Sequence, residues 1–204
     1  MRYRTDYYGS INGPGINFPL WITCLSILSL LLIPVDNAFG IALFNRLENM
    51  QVVNQDGQAG DFLADYVGDN IAVITFTYSC CTTACPILDG IFKRVQEQLD
   101  HELGRNVTLL TVSIDPANDI PVRLKLRSER LGAKENWHFL TGDKKQIDDL
   151  LKAFEVYTPD IYTHPPTVLI LDIRNDQYYR LSGFPSADDI IAVLEQYQSE
   201  RRDS

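Results

Sequence analysis

The sequence predicts an α/β fold built on a mostly parallel sheet with an added antiparallel edge. Three observations carry this. Short β-branched apolar runs, "IAVITF" (71–76) and "VTLLTVSI" (107–114), read as buried strands. Amphipathic stretches at helical spacing lie between and after them. Two further strand-like runs, "TVLILD" (167–172) and "QYYRLSG" (177–183), flank "IRND" as a hairpin.

Taken in order, the elements are these. Residues 54–69 carry turn chemistry at Asp56-Gly57 and are expected to form an N-terminal hairpin. After the 71–76 strand, Pro86 opens a helix expected to reach about Leu103, with Leu88, Phe92, Val95 and Leu99 on one face. After the 107–114 strand, Asp119 is the expected N-cap of a helix with Leu124, Ser128 and Leu131 on one face and Gly132 closing it. "NWHFLTG" (136–142) reads as a short strand. Asp143 and Gln146 look like a capping box before Ile147, Leu150, Leu151 and Phe154. Ser186 and Asp189 cap a last helix carrying Ile190, Val193, Leu194 and Tyr197. The order βαβαβα followed by ββα matches a thioredoxin-like (peroxiredoxin-type) α/β sandwich with an extra N-terminal β-hairpin.

The chain has 204 residues, enough for one domain and an appendage. With 18 basic and 27 acidic side chains its net charge is −9, and no basic patch interleaved with aromatics stands out, so nucleic acid is not an expected partner. The N-terminus differs in character. From Tyr7 to Val35 there is no charged side chain, and residues 18–35, "FPLWITCLSILSLLLIPV", are almost wholly apolar. That length lies between a signal-peptide core and a full membrane helix; Arg2 and Arg4 put the N-terminus inside and the rest outside. Both readings stay open, a membrane anchor or a signal cleaved near "AFG" (38–40). The expected organisation is a short cytoplasmic start (1–17), the apolar segment (18–35) as one hydrophobic helix, a linker (36–50), the folded domain (51–200) and a tail (201–204). The expected location is extracytoplasmic, a bacterial periplasm, since residues 1–17 do not resemble a transit peptide. Cys24, in the apolar segment, reads as an inert hydrophobe.

The chemistry concentrates in "YSCCTTACP", residues 78–86. This loop follows a central strand and precedes a helix, at the carboxyl edge where α/β sheets bind ligands. Three residues separate Cys81 from Cys85, a spacing open to a permanent disulfide, a redox pair or a shared metal ion. Cys85, at the helix entrance, is expected to be the favoured thiolate. His164, in "YTHPPTVLILD", precedes a strand expected beside the 71–76 strand, so the fold would bring it to the cysteines. Two thiolates and an imidazole form a soft, low-coordinate set that suits copper better than zinc. His101 and His138 read as a helix-surface residue and a strand residue. Asp115 and Asp119 read as turn and cap residues.

Over residues 52–198 these features together resemble the SCO/SenC copper proteins, which take part in assembly of the binuclear copper centre of cytochrome c oxidase. The family's Tyr-Thr-x-Cys-Pro-x-x-Cys-Pro pattern stands here as residues 78–86. Its Ser-x-Asp-Pro-x-x-Asp-Thr-Pro stretch stands as residues 113–121, its Leu-Thr-Gly-Asp as 140–143, and its His eight residues before a strand-ending Asp as His164 and Asp172. The resemblance implies that Cys81, Cys85 and His164 bind copper, Cu(I) with Cu(II) as a second state, and that Cys81 and Cys85 form a redox-active disulfide. It implies as partners a copper-bearing oxidase subunit or another copper-enzyme recipient, a thiol reductant, and the membrane through residues 18–35. Cys80 falls at a variable position, open as an alternative exchange thiol or a third sulfur. Thr82 replaces the family's Pro, and Pro165-Pro166 follow His164; Pro166-Thr167 resembles the cis-Pro-Thr of thioredoxins. Two other readings stand beside the copper chaperone: a general extracytoplasmic thiol–disulfide oxidoreductase, and a thiol peroxidase suggested by Thr82-x-x-Cys85 but lacking the Pro expected at Tyr78.

Overall fold

A computed structural model describes residues 43–99 and 105–203. The apolar segment 18–35, Cys24 and His101 lie outside these residues. Among the described residues no helix is long and apolar enough to cross a membrane.

One seven-stranded sheet organises the chain, in the order β2-β1-β5-β4-β3-β6-β7. Its strands are β1 (Gln51–Asn54), β2 (Ala59–Asp61), β3 (Ile71–Thr77), β4 (Val107–Ser113), β5 (Trp137–Thr141), β6 (Thr167–Asp172) and β7 (Gln177–Ser182). β3, β4 and β5 run parallel; β6 pairs antiparallel with β3, and β7 with β6. The helices are α1 (Ala84–Gln98), α2 (Pro121–Leu131), α3 (Lys144–Ala153) and α4 (Ala187–Asp203). This is the expected thioredoxin-like architecture.

β3 shows why the sheet is covered on both faces. Ile71 and Val73 point into a core with Leu88 and Phe92 of α1, Leu124 of α2 and Ile190 and Leu194 of α4. Ala72, Ile74 and Phe76 point into the opposite core, with Phe62, Leu151 and Phe154. Every residue of β3 is buried, as the period-2 geometry of a strand covered on both sides requires. Residues 43–47, within the stretch expected as linker, form a helical turn that buries Leu43, Phe44 and Leu47 in this second core.

Several boundaries differ from expectation. The hairpin spans β1–β2, residues 51–61 rather than 54–69; Phe62–Val67 form a π-helical turn capped by the Asp61 carboxylate. The Asn54 carboxamide already satisfies the turn's Asp56 and Gln58 N–H groups, so pairing starts earlier. α1 begins two residues before Pro86. Asp143 caps α3, but Gln146 accepts the Gln51 N–H instead of reaching back, so β1 takes the second half of the expected box. Ser186 and Asp189 do form a reciprocal cap on α4. Asp119 is not the cap of α2. Ile120 occupies that position, Pro121 is at the first turn where no N–H is needed, and the Asp119 carboxylate is buried elsewhere.

Candidate metal centre

The centre grows out of the end of β3. Thr77 closes the strand, and Tyr78 to Cys81 make a turn in which the Cys81 N–H donates to the Tyr78 carbonyl (3.1 Å). Cys80 stands at the corner of this turn and is exposed; Cys81 is half-buried; Cys85, in the first turn of α1, is buried at 5% exposure. All three are free thiols. The Cys85 N–H donates to Cys81 Sγ at 3.2 Å. Thr83, the N-cap of α1, makes no side-chain cap. The Cys81 sulfur takes that role, accepting one of the N–H groups that a helix start leaves unpaired.

This reverses the expected order of the two thiols. Burial raises the Cys81 pKa, but the Cys85 thiol, the backbone N–H groups of Cys85 and Thr83 and the Tyr78 hydroxyl outweigh it, and the balance is lowered. Burial, followed by the donation to Cys81, pushes Cys85 up to about 11. A residue inside the first turn points its side chain away from its own N–H; the sulfur that receives the helix N-terminus lies four residues earlier. Cys81 is therefore the more acidic thiol of the pair and Cys85 the reserve. Burial also pushes the Tyr78 phenol up to about 12, so it stays protonated as a donor.

His164 reaches the same edge of the sheet. β6 runs antiparallel to β3, with Thr75 opposite Val168, so the residues entering β6 lie beside the end of β3. The two loops touch: Tyr78 and Tyr162 meet edge to face at 5.9 Å. His164 itself packs on Phe76, ring centroids 5.6 Å apart, and Nε2 is buried without a hydrogen-bond partner. It borders a small cavity of about 50 Å³ with Ile114, Leu151 and Tyr157. Burial pushes its pKa down to about 4, which keeps the imidazole neutral. Among the described residues no group of three His, Cys, Asp or Glu side chains converges closely enough to hold a metal ion. The structure thus joins Cys81 to Cys85 and leaves His164 on the neighbouring loop. The expected resemblance of Pro166 to the thioredoxin cis-proline does not hold. All peptide bonds of the described residues are trans, and the Pro166 carbonyl accepts the Gly183 N–H at 2.9 Å.

His138 is a β5 residue, as expected, packed edge to face on Tyr66. Sequence reading missed two contributors to the centre. The Tyr78 hydroxyl stands behind Cys81. Asp119, fully buried, accepts the Ser79 N–H at 3.1 Å.

A thioredoxin-like sheet with a pair of thiols at the N-terminus of the helix after its central strand defines a dithiol protein of the thioredoxin class. The comparisons narrow this. The SCO1/SenC family profile matches residues 46–199, and the chain belongs to that family. It is 30% identical over 113 residues to the SCO1 protein homolog of Bacillus subtilis (strain 168), covering 54% of this chain and 57% of that relative. Only a little over half of the relative's length is thus spanned. The fold is similar to that of Arabidopsis thaliana ScoI with copper bound (TM-score 0.61, 14% identity, 74% of this chain and 96% of that one). It is likewise similar to BsSco, described as a member of the Sco family of cytochrome c oxidase assembly proteins with a disulfide switch (TM-score 0.58, 23% identity, 74% and 91%).

Proposed function

We propose that this protein binds copper as cargo through Cys81 and Cys85 and serves the assembly of a respiratory cytochrome c oxidase. It does so by delivering copper to the copper-bearing subunit or by reducing that subunit's ligand cysteines. The observation that carries the reading is the Cys85 N–H on Cys81 Sγ at the start of α1, in a chain of the SCO1/SenC family. Soft thiolates select Cu(I), and a thiol held near its anionic form gives up its proton readily when metal arrives. His164 adds a neutral buried nitrogen without a partner, one loop away. It completes the set when its loop closes on the thiols. The ScoI neighbour binds copper on the same fold, which supports the cargo.

The reductive step uses the same asymmetry. Cys81 thiolate attacks one sulfur of a target disulfide, forms a mixed disulfide and expels a target thiolate. Cys85 then loses its proton and attacks Cys81 Sγ, closing the Cys81–Cys85 disulfide and releasing the second target thiolate. Two electrons pass to the target. An external thiol reductant resets the pair. In this reading residues 18–35 carry the domain across a bacterial inner membrane and either remain as its anchor or are cleaved as a signal.

The test is a Cu(I) titration of the reduced full-length protein against a competing chelator, with Cys81→Ser and Cys85→Ser beside it. One tightly bound Cu(I), lost in both variants, is the expected result. Weak binding equal in all three proteins would remove copper and leave thiol–disulfide exchange as the function.

A further inference from the structure

Among the described residues Asp119 is a fully buried carboxylate that bonds to the cysteine loop. Its Oδ1 accepts the Ser79 N–H at 3.1 Å, and its Oδ2 accepts the Ser113 hydroxyl at 2.6 Å. Ser113 Oγ in turn accepts the Asp115 N–H at 3.0 Å, and the Asp119 N–H donates to the Asp115 carbonyl at 2.9 Å. Among the described residues no cation pairs with this carboxylate. Burying a carboxylate on neutral donors alone is costly, so its partners must be held firmly. One partner is the last residue of β4. The other lies in the Tyr78–Cys81 turn, which places Cys81 Sγ on the Cys85 N–H. Among the described residues no other side-chain hydrogen bond ties the backbone of that turn to a neighbouring element.

We propose that Asp119 is a positioning residue for the Cys81–Cys85 pair: by anchoring the Ser79 N–H to the end of β4, it holds the turn that keeps Cys81 on the α1 N-terminus. It thereby sets the thiol–disulfide poise of the pair. The inference rests on the reading of Cys81 and Cys85 as the working pair, and it does not depend on copper. Without the anchor the turn loosens and Cys81 loses its charge-assisted donors. The reduced form is then less stabilised, and the equilibrium moves toward the disulfide.

The experiment uses full-length, metal-free protein in a Cys80→Ser background, equilibrated in a series of glutathione buffers. The fraction of Cys81–Cys85 disulfide is read by isotope-coded alkylation of the peptide that carries both. Asp119→Ala, which removes both acceptors, is expected to shift the equilibrium constant about tenfold toward the disulfide, about 30 mV for this two-electron couple. Asp119→Asn keeps an oxygen for the Ser79 N–H and is expected to stay within about twofold of the parent. A parent-like equilibrium in Asp119→Ala overturns the proposal. So does an Asp119→Asn shift as large as that of Asp119→Ala, because the Ser79 tie would then not be the cause. If Asp119→Ala does not fold, Ser79→Pro carries the test. It deletes the donor at a turn position where Pro is tolerated. The same tenfold shift supports the anchor, and an unchanged equilibrium overturns it. A parent that forms no Cys81–Cys85 disulfide in any buffer overturns both this inference and the redox half of the proposed function. Loss of copper binding alone leaves this result untouched.

Discussion

The cysteine loop and the histidine loop meet at one edge of the sheet, and they are built by opposite rules. Around the cysteines the thiol and its turn are tied by hydrogen bonds, with Thr77 Oγ1 at the strand end the exception. Cys81 Sγ receives a helix N–H, the turn is closed by a backbone bond, and Ser79 is tied to Asp119. Around His164, Phe76 lies against the ring, the neighbouring cavity mixes Ile114 and Leu151 with Lys144 and Asp148, and Nε2 still has no partner. The first loop is preorganised for its chemistry. The second stores a donor whose best partner is absent from its pocket, since an orphaned buried polar atom carries a desolvation cost. Under the proposed function, Cys81 and Cys85 would be the preorganised half of a copper site and His164 the half that lies apart from it.

This contrast can be broken at four places, in falling order of effect. Replacing either Cys81 or Cys85 by Ser removes half of the rigid donor set. Cu(I) affinity in a chelator competition should fall by more than roughly a hundredfold, beyond what loss of an outer-shell partner costs. His164→Ala removes the nitrogen held on the neighbouring loop. Bringing the imidazole to the thiols costs part of what its bond would contribute, so the same competition should show a smaller loss, about tenfold. A loss equal to that of the cysteine variants would mean that His164 belongs to the rigid half.

The third test uses pH. His164 is held neutral, with its pKa depressed by burial from 6.5 to about 4. Below pH 6.5 the unfolded chain binds a proton that the folded one refuses. Stability is therefore full above about pH 6.5 and declines as the pH falls toward about 4. Denaturant titrations of metal-free protein across this window should show that decline, and His164→Phe should flatten it. His138, also depressed by burial, keeps part of the slope. An unchanged slope in His164→Phe would show that His164 is not held neutral by its pocket. The smallest effect is expected from Cys80→Ser. Its side chain is exposed at the turn corner, and Cu(I) affinity should change by less than about twofold. A larger loss would add a third sulfur to the rigid half.

Much of the scaffold was legible in the residues. Uninterrupted apolar runs such as 71–76 have few alternatives to a strand covered on both faces, and the Ser186–Asp189 cap is local chemistry. The failures cluster where a distant partner competes for a local group. Gln146 was assigned to its own helix and went to β1. Asp119 was assigned to α2 and went to Ser79 and Ser113, 40 and 6 residues away. Cys85 sits at the helix start, yet the helix N–H meets Cys81, because the direction of an N–H decides which sulfur it reaches.

By itself the sequence determined the strand and helix periods, the Cys81–Cys85 spacing, the resemblance to SCO/SenC proteins, and that the loop carrying His164 reaches the sheet edge of the cysteine loop. These are properties of near neighbours along the chain and of side-chain type. Only the tertiary structure decided which sulfur receives the helix N–H, where Asp119 spends its carboxylate, and that His164 rests on Phe76 rather than on sulfur. Hydrogen-bond direction and burial are set by groups tens of residues apart, and no local pattern encodes them.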